Sequence, residues 1–151
     1  MKPISYASAL LGALFCLALA PRAAAASPDL AVEARLIWGT NGQKPPGEKL
    51  KEVDVETKKK LKRVFKWEHY YEVEHQDFKV PISTKKRVRM SPKCEVEVEN
   101  LGESSVEVKL YGEGRLVVRK KQVLEADELL VLGGDDKNDT AWFVILVTPK
   151  K

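Results

Sequence analysis

Residues 87–118 alternate between apolar and charged side chains, with breaks at three short segments. Successive side chains of a β-strand point to opposite faces, so a period of two places the apolar residues on one side. The breaks at residues 91–93, 100–104 and 112–114 contain Pro, Gly, Asn and Ser, which are typical of turns. The segment therefore predicts a meander of four antiparallel strands with one apolar face and one charged face.

The register of this meander follows from two independent patterns. A turn at Pro92 places apolar side chains opposite one another on one face and opposite charges on the other. The predicted pairs are Met90 with Cys94, Val88 with Val96, Arg89 with Glu95, and Arg87 with Glu97. Across the third turn, the predicted pairs are Leu110 with Leu116, and Val108 with Val118. Cys94 is therefore expected to face the core as a small apolar residue.

The first half of the chain predicts two more strands and a helix. Residues 30–38 alternate loosely before a turn that contains glycine. Asp54 is placed to cap an amphipathic helix over residues 55–65. A further strand begins at Trp67, and its parity changes near residues 75–77, which predicts a bulge or a turn there.

Two continuous apolar runs complete the fold prediction. Residues 129–132 and 142–147 are typical of strands that are covered on both faces or lie centrally in a sandwich. The expected fold is mainly β, either an antiparallel β-sandwich or a partly open barrel, with one short α-helix.

The N-terminus has the pattern of a cleaved export signal. Lys2 precedes an apolar stretch over residues 4–20, and the alanines at 23–26 are small residues of the kind accepted at a cleavage site. Residues 1–26 are therefore predicted to be a signal peptide. Residues 27–151 are predicted to form a single mostly-β domain that is periplasmic or secreted. Lipid attachment at Cys16 would need a small residue where Phe15 stands, and no membrane span is expected after processing.

The charge of the chain bears on its partners. The formal net charge is +4, and Lys2 and Arg22 supply two of these charges, so the predicted domain carries +2. Such a balanced charge does not favour a nucleic-acid partner. A hydrophobic fraction of 44% with 32% charged residues is typical of a folded soluble domain.

Few residues offer catalytic chemistry. His69 and His75 are the only histidines in the sequence, and neither lies in a nucleophile or metal-binding motif. We therefore expect no catalytic residues, no metal and no cofactor.

Two groups of residues are candidate binding sites. One loop offers hard oxygen ligands of the kind that calcium prefers, although such clusters more often form turns; its residues are Asp135, Asp136, Asn138 and Asp139. Tyr70 and Tyr71 are adjacent in a predicted strand and so point to opposite faces. One of them is expected to be exposed, where it would stack on a sugar ring or contact a protein partner.

Three stretches carry a resemblance to known sequences. Residues 36–41 read LIWGTN, residues 64–73 read VFKWEHYYEV, and residues 130–144 contain LVLGG and NDTAWFV. They resemble a set of small exported bacterial proteins of the kind encoded in Verrucomicrobia-like genomes, for which no activity is known. The resemblance implies export and a bacterial envelope setting, and it carries no functional residues over.

The function expected from the sequence is that of an exported, non-enzymatic β-sandwich-like domain that binds another protein or an envelope component. The alternative is a carbohydrate- or calcium-binding module, and a hydrolase with paired carboxylates is a third reading. The sequence leaves the identity of the partner and the oligomeric state open.

Overall fold

A computed structural model describes residues 28–135 and 139–149. The predicted signal peptide, residues 1–26, lies outside the described residues. Within them the chain forms nine strands and one helix. No helix among the described residues is long and apolar enough to cross a membrane. In order, the elements are β1 Leu30–Thr40, β2 Lys51–Glu52, α1 Val55–Lys62, β3 His69–Val80, β4 Lys85–Ser91, β5 Cys94–Gly102, β6 Ser105–Gly112, β7 Arg115–Val123, β8 Leu130–Asp135 and β9 Thr140–Val147.

The strands form two antiparallel sheets. The large sheet has the order β2-β3-β1-β9-β8, and the small sheet is the meander β4-β5-β6-β7. The sheets pack face to face without closing into a barrel. The prediction of a mainly β, antiparallel fold with one short helix is confirmed, and of the two architectures considered the sandwich is the one consistent with the structure.

The main core lies between the two sheets, where the alternating apolar residues of both inner faces meet. In the small sheet the predicted inward positions of β5 and β6 are buried, which confirms the inferred faces of the meander. The buried residues at the centre of this core include Val32, Ala34, Leu36, Val96, Val98, Val106, Val108, Val144 and Leu146.

A second core lies on the outer face of the large sheet, beneath α1 and the segment that follows it. Its buried side chains include Ile37, Leu61, Trp67, Tyr70, Phe143 and Ile145. β1 and β9 are therefore apolar on both faces over part of their length, because each face meets a separate core. This confirms that the apolar run at residues 142–147 is a central strand covered on both sides.

Helix α1 begins as predicted, with Asp54 as its N-cap. The Asp54 carboxylate accepts hydrogen bonds from the Thr57 amide at 2.9 Å, the Thr57 hydroxyl at 2.7 Å and Arg35 Nη1 at 3.0 Å. Burial alone would raise the pKa of Asp54, but the bonds from Thr57 and Arg35 outweigh it and lower the pKa to about 2. The helix ends at Lys62, earlier than predicted, because the chain turns there and lets Phe65 stack on Phe143 with ring centroids 4.8 Å apart.

The register of the β4/β5 hairpin is correct at three of its four predicted pairs. The pairing of Met90 with Cys94 is wrong, because Cys94 pairs with Ser91 and the register shifts at Met90. A two-residue turn at Pro92 and Lys93 requires its flanking residues, Ser91 and Cys94, to pair. Met90 is then an extra residue in β4 and forms a bulge. Met90 is still buried, at 2% exposure.

The ion pairs on the charged face of this hairpin follow the backbone pairs only in part. Arg89 Nη2 lies 3.6 Å from Glu95 Oε1, as the register predicts. Arg87 lies opposite Glu97 in the backbone register, yet its Nη2 contacts Glu95 Oε2 at 2.9 Å. Lys109 Nζ lies 3.5 Å from Glu97 Oε1 instead. Diagonal neighbours are within reach of long side chains, so the backbone register alone does not fix which ion pairs form.

The predicted pairs at the third turn are wrong by two residues. Leu110 pairs with Val118, not Leu116, and Val117 is the extra residue of a bulge. A two-residue turn accounts for one residue of this error and the bulge for the other. Glu113 and Gly114 both have positive φ, 50° and 78°, as type I′ hairpin turns require.

The bulge predicted at residues 75–77 is misplaced. β3 continues through these residues, and the register shift lies at Val73, because Leu36 pairs with Glu74 while Ile37 pairs with Glu72. The expectation that Tyr70 or Tyr71 would be exposed is also wrong, since their exposed fractions are 0% and 9%. Both faces of the large sheet are covered at this level, a fact that strand parity does not reveal.

We predict that replacing Tyr70 by phenylalanine leaves the free energy of unfolding unchanged or raises it by up to about 1 kcal/mol. The Tyr70 hydroxyl is buried without a hydrogen-bond partner among the described residues. Burial raises the pKa of Tyr70. The Trp67 backbone lies near enough to the hydroxyl to offset part of that rise, but the contact does not have the geometry of a hydrogen bond. Urea unfolding of both proteins tests this, and a loss of more than about 1 kcal/mol would show that the hydroxyl is bonded.

Candidate functional site

The two sheets are joined along one side and open along the other. On the joined side, β3 leads directly into β4, and the buried Asn100 side chain donates to the Val80 carbonyl at 2.9 Å. On the open side, β7 and β8 are the edge strands of their sheets, and no backbone ladder connects them. Lys120 Nζ reaches across this open seam and donates to the Val131 carbonyl at 3.2 Å. An unpaired β8 carbonyl is thereby satisfied by a side chain of β7.

An apolar cleft of about 620 Å³ lies between the sheets near the start of β7. The large sheet contributes Leu36, Val73 and Trp142 to its lining, and the small sheet contributes Cys94, Leu110 and Val117. Val117 is the bulged residue of β7 and is 59% exposed. The cleft is therefore continuous with the main core on the inside and open to solvent at its mouth.

Three aromatic side chains form a row next to this cleft, which we call the aromatic row. Tyr71, Trp38 and Trp142 lie on neighbouring strands in direct cross-strand register. The ring centroid of Trp38 lies 5.9 Å from that of Tyr71 and 6.0 Å from that of Trp142. His69 extends the row, with its ring 6.2 Å from that of Tyr71. These separations are typical of favourable aromatic pairs.

Trp142 is the most exposed member of the aromatic row, in which Trp38 and His69 are half-buried. It is 44% exposed, whereas Tyr71 is 9% exposed. Its partner across the β8/β9 ladder is Gly134, so no β8 side chain covers the indole at that position. An exposed indole at the mouth of an apolar cleft is a surface suited to ligand contact.

The cleft offers little catalytic chemistry. Its lining residues all belong to the described part of the chain, and they include no histidine, aspartate or glutamate. Burial raises the pKa of the Cys94 thiol, and the neighbouring Glu95 raises it further. Cys94 is therefore held as a neutral thiol, which packs as an apolar group and is a poor nucleophile.

The predicted site residues are divided among different places. Tyr71 belongs to the aromatic row, but Tyr70 lies on the opposite face of the large sheet, in the core beneath α1. Asp135 ends β8, and Asp139 is exposed, with Oδ1 4.0 Å from Lys66 Nζ. Asp136 and Asn138 lie outside the described residues, and so does most of the loop on which the calcium prediction rests.

Sequence reasoning missed Trp38, Trp142 and Val117. Trp38 continues the inward parity of Leu36, and Trp142 continues that of the apolar run in β9. That parity could have placed both indoles on one face. Their adjacency could not be read from the sequence, because it depends on the pairing of β1 with β9, which are about a hundred residues apart.

The fold and the cleft together define the chain as an antiparallel two-sheet β-sandwich with an open apolar cleft at one seam. No protein-family model, curated protein or solved structure matches the chain. The resemblance to small exported bacterial proteins stays a prediction.

Proposed function

We propose that this protein is an exported, non-enzymatic binding module, acting in the periplasm or outside the cell, that holds an extended segment of a protein partner at the open seam. The observation that carries the proposal is the combination of two unpaired strand edges, β7 and β8, with an apolar cleft and an exposed Trp142 beside them. A partner that adds a strand to such an edge gains main-chain hydrogen bonds and places alternate side chains in the cleft.

The exposed apolar residues of β7 support this mode of binding. Leu116 and Val117 are 53% and 59% exposed on a strand whose outer edge has no neighbour. Natural edge strands are usually protected by charged side chains, and Lys120 protects the far end of the seam by its bond to Val131. The end near Val117 carries no comparable bond among the described residues.

Charge complementarity favours an acidic segment. β7 carries four basic residues and no acidic one; they are Arg115, Arg119, Lys120 and Lys121. Complementary charge steers a partner toward its site and fixes its register more than it adds affinity. The expected occupant therefore alternates apolar residues, which fill the cleft, with Asp or Glu residues, which face the basic side chains.

Synthetic nine-residue peptides that alternate Leu or Val with Asp or Glu are the probe for this proposal. We expect them to alter the fluorescence of Trp142 and to slow the modification of Cys94 by a thiol reagent, because both side chains line the cleft. Peptides of the same composition in scrambled order, and peptides with Lys in place of the acids, should bind at least tenfold more weakly.

A matched pair of variants locates the binding site. Val117→Asp places a carboxylate at the mouth of the cleft and is expected to weaken peptide binding at least tenfold. Val64→Asp is the control, because Val64 is similarly exposed, at 68%, but follows α1 on the outer side of the large sheet. Equal binding by the two variants, or acidic peptides that leave Cys94 as reactive as before, would contradict the proposal.

One observation favours the carbohydrate-binding alternative. The exposed Trp142 ring lies two residues beyond Thr140, the first β9 residue after the aspartate-containing loop. Sugars stack on exposed indoles, and calcium held by the loop would strengthen such a site. A glycan panel assayed by thermal shift with calcium and with chelator separates the alternatives, since only a bound ligand raises the melting temperature.

A further inference from the structure

A second group of side chains lies away from the cleft, on the outer face of the large sheet where β1 and β3 pair. Glu33 lies directly opposite Asp77 in the antiparallel register, and Arg35 lies opposite His75. Glu33, His75 and Asp77 therefore project from one face of two adjacent strands. Their donor atoms all lie within 4.8 Å of one another.

The two distances from His75 to the carboxylates are compatible with a tetrahedral zinc ion. His75 Nε2 lies 3.5 Å from Glu33 Oε1 and 3.2 Å from Asp77 Oδ1. Ligands about 2.0–2.2 Å from a tetrahedral ion are separated from one another by roughly 3.3–3.6 Å. Both distances from the His75 nitrogen fall near that range, and the carboxylate oxygens of Glu33 and Asp77 lie within 4.8 Å of one another, so side-chain rotation can bring all three groups onto one ion.

The other ring nitrogen of His75 supplies an independent observation. Nδ1 faces Glu72 Oε1 at 3.5 Å, which leaves Nε2 directed at Glu33 and Asp77. Histidine ligands of zinc commonly have a carboxylate on their second nitrogen, which orients the ring and makes the ligand more basic.

Arg35 holds the surrounding carboxylates in place. It donates to Glu33, lies 3.6 Å from Glu72 Oε2, and bonds Asp54 at 3.0 Å. Arg35 Nε and Nη2 both contact Glu33 Oε1, so the lone pairs that Glu33 can offer a metal are mainly those of Oε2. Three carboxylates, those of Glu33, Glu72 and Asp77, lie near His75 together with one arginine. The local net charge is therefore negative, which favours a cation.

We propose that Glu33, His75 and Asp77 bind one divalent ion of the zinc type, with water completing the coordination. The imidazole nitrogen sets the class, because calcium and magnesium prefer all-oxygen sites. The ion links β1 to β3, so its binding stabilises the large sheet independently of any ligand in the cleft. The sequence predicts no metal, so this proposal departs from that prediction.

Titration of the metal-free full-length protein with Zn²⁺ by calorimetry tests the proposal. We expect one ion per chain and a rise in melting temperature that Mg²⁺ and Ca²⁺ at the same concentration do not produce. His75→Ala and Asp77→Asn should each weaken zinc binding at least tenfold. Asp77 is largely exposed, so its variant is expected to fold normally.

Two control variants exclude other ligands. His69→Ala removes the other histidine, whose ring stacks on Tyr71, and Cys94→Ala removes the thiol in the cleft. Both should bind zinc like the unaltered protein. Unchanged affinity in His75→Ala, or loss of binding in either control, would overturn the assignment. Absence of zinc binding by the folded unaltered protein would also overturn it, whatever the outcome of the peptide assays.

Discussion

Replacing Gly133 by alanine is expected to lower the free energy of unfolding by about 3 kcal/mol or more. Gly133 has φ of 125°, a conformation that L side chains rarely adopt. A Cβ atom at this position would lie 2.6 Å from the Trp142 carbonyl oxygen and 2.9 Å from the Phe143 Cα. Both are backbone atoms of β9, so relief of the clash requires β8 to move away from its neighbour.

Gly47→Ala is the matched control for this prediction. Gly47 also has positive φ, 86°, but a Cβ atom there would meet nothing within 4 Å. Its replacement should cost about 1 kcal/mol, the cost of the backbone conformation alone. Urea unfolding of the three proteins measures how much the φ of 125° and the contact with β9 together add at Gly133. Equal losses in the two variants would show that the contact with β9 adds nothing at Gly133.

The local pattern of the sequence was sufficient to predict the meander, its buried face and the helix cap. β5 and β6 alternate strictly, and one face is buried against the large sheet, so their parity determines which side chains enter the core. The errors within the meander occurred at its hairpin turns. Two-residue turns set the pairing of Ser91 with Cys94 and of Gly112 with Arg115, and the flanking strands absorb the mismatch as bulges at Met90 and Val117.

The candidate sites depend on information that the local pattern does not contain. Trp38 and Trp142 become neighbours only because the last strand inserts beside the first. Glu33 and Asp77 likewise meet only because β1 pairs with β3 in one particular register. Long-range pairing is determined by the packing of the whole domain, so residues of ordinary appearance in the sequence converge without a recognisable motif.

The same limit explains the two tyrosines. Alternation correctly assigned Tyr70 and Tyr71 to opposite faces of a strand, but the sequence did not reveal that a second core covers the outer face. That core requires α1 and Trp67 to fold back over β1 and β9. The second face of a sheet is exposed or buried according to what the rest of the chain places on it.

Replacing Gly39 by alanine is expected to lower the free energy of unfolding by about 2–3 kcal/mol, through a different mechanism from that at Gly133. A Cβ atom at Gly39 would lie 2.7 Å from Trp67 Cδ1 and 3.0 Å from Cγ. The Trp67 ring is 2% exposed and packs in the second core, so it cannot swing into solvent without opening that core. Thermal or urea unfolding measures the loss.

A double-mutant cycle with Trp67→Leu tests whether the clash with the indole causes this loss. Trp67→Leu alone should cost about 2–4 kcal/mol through the cavity that it leaves, and no hydrogen bond is lost, because the buried Trp67 Nε1 has no partner among the described residues. In that background Gly39→Ala should cost less than about 1 kcal/mol, since the smaller side chain leaves room for the added methyl group. Additive losses would mean that the indole moves aside freely in the single variant. They would also mean that the close approach of Trp67 to β1 is not what requires glycine at position 39.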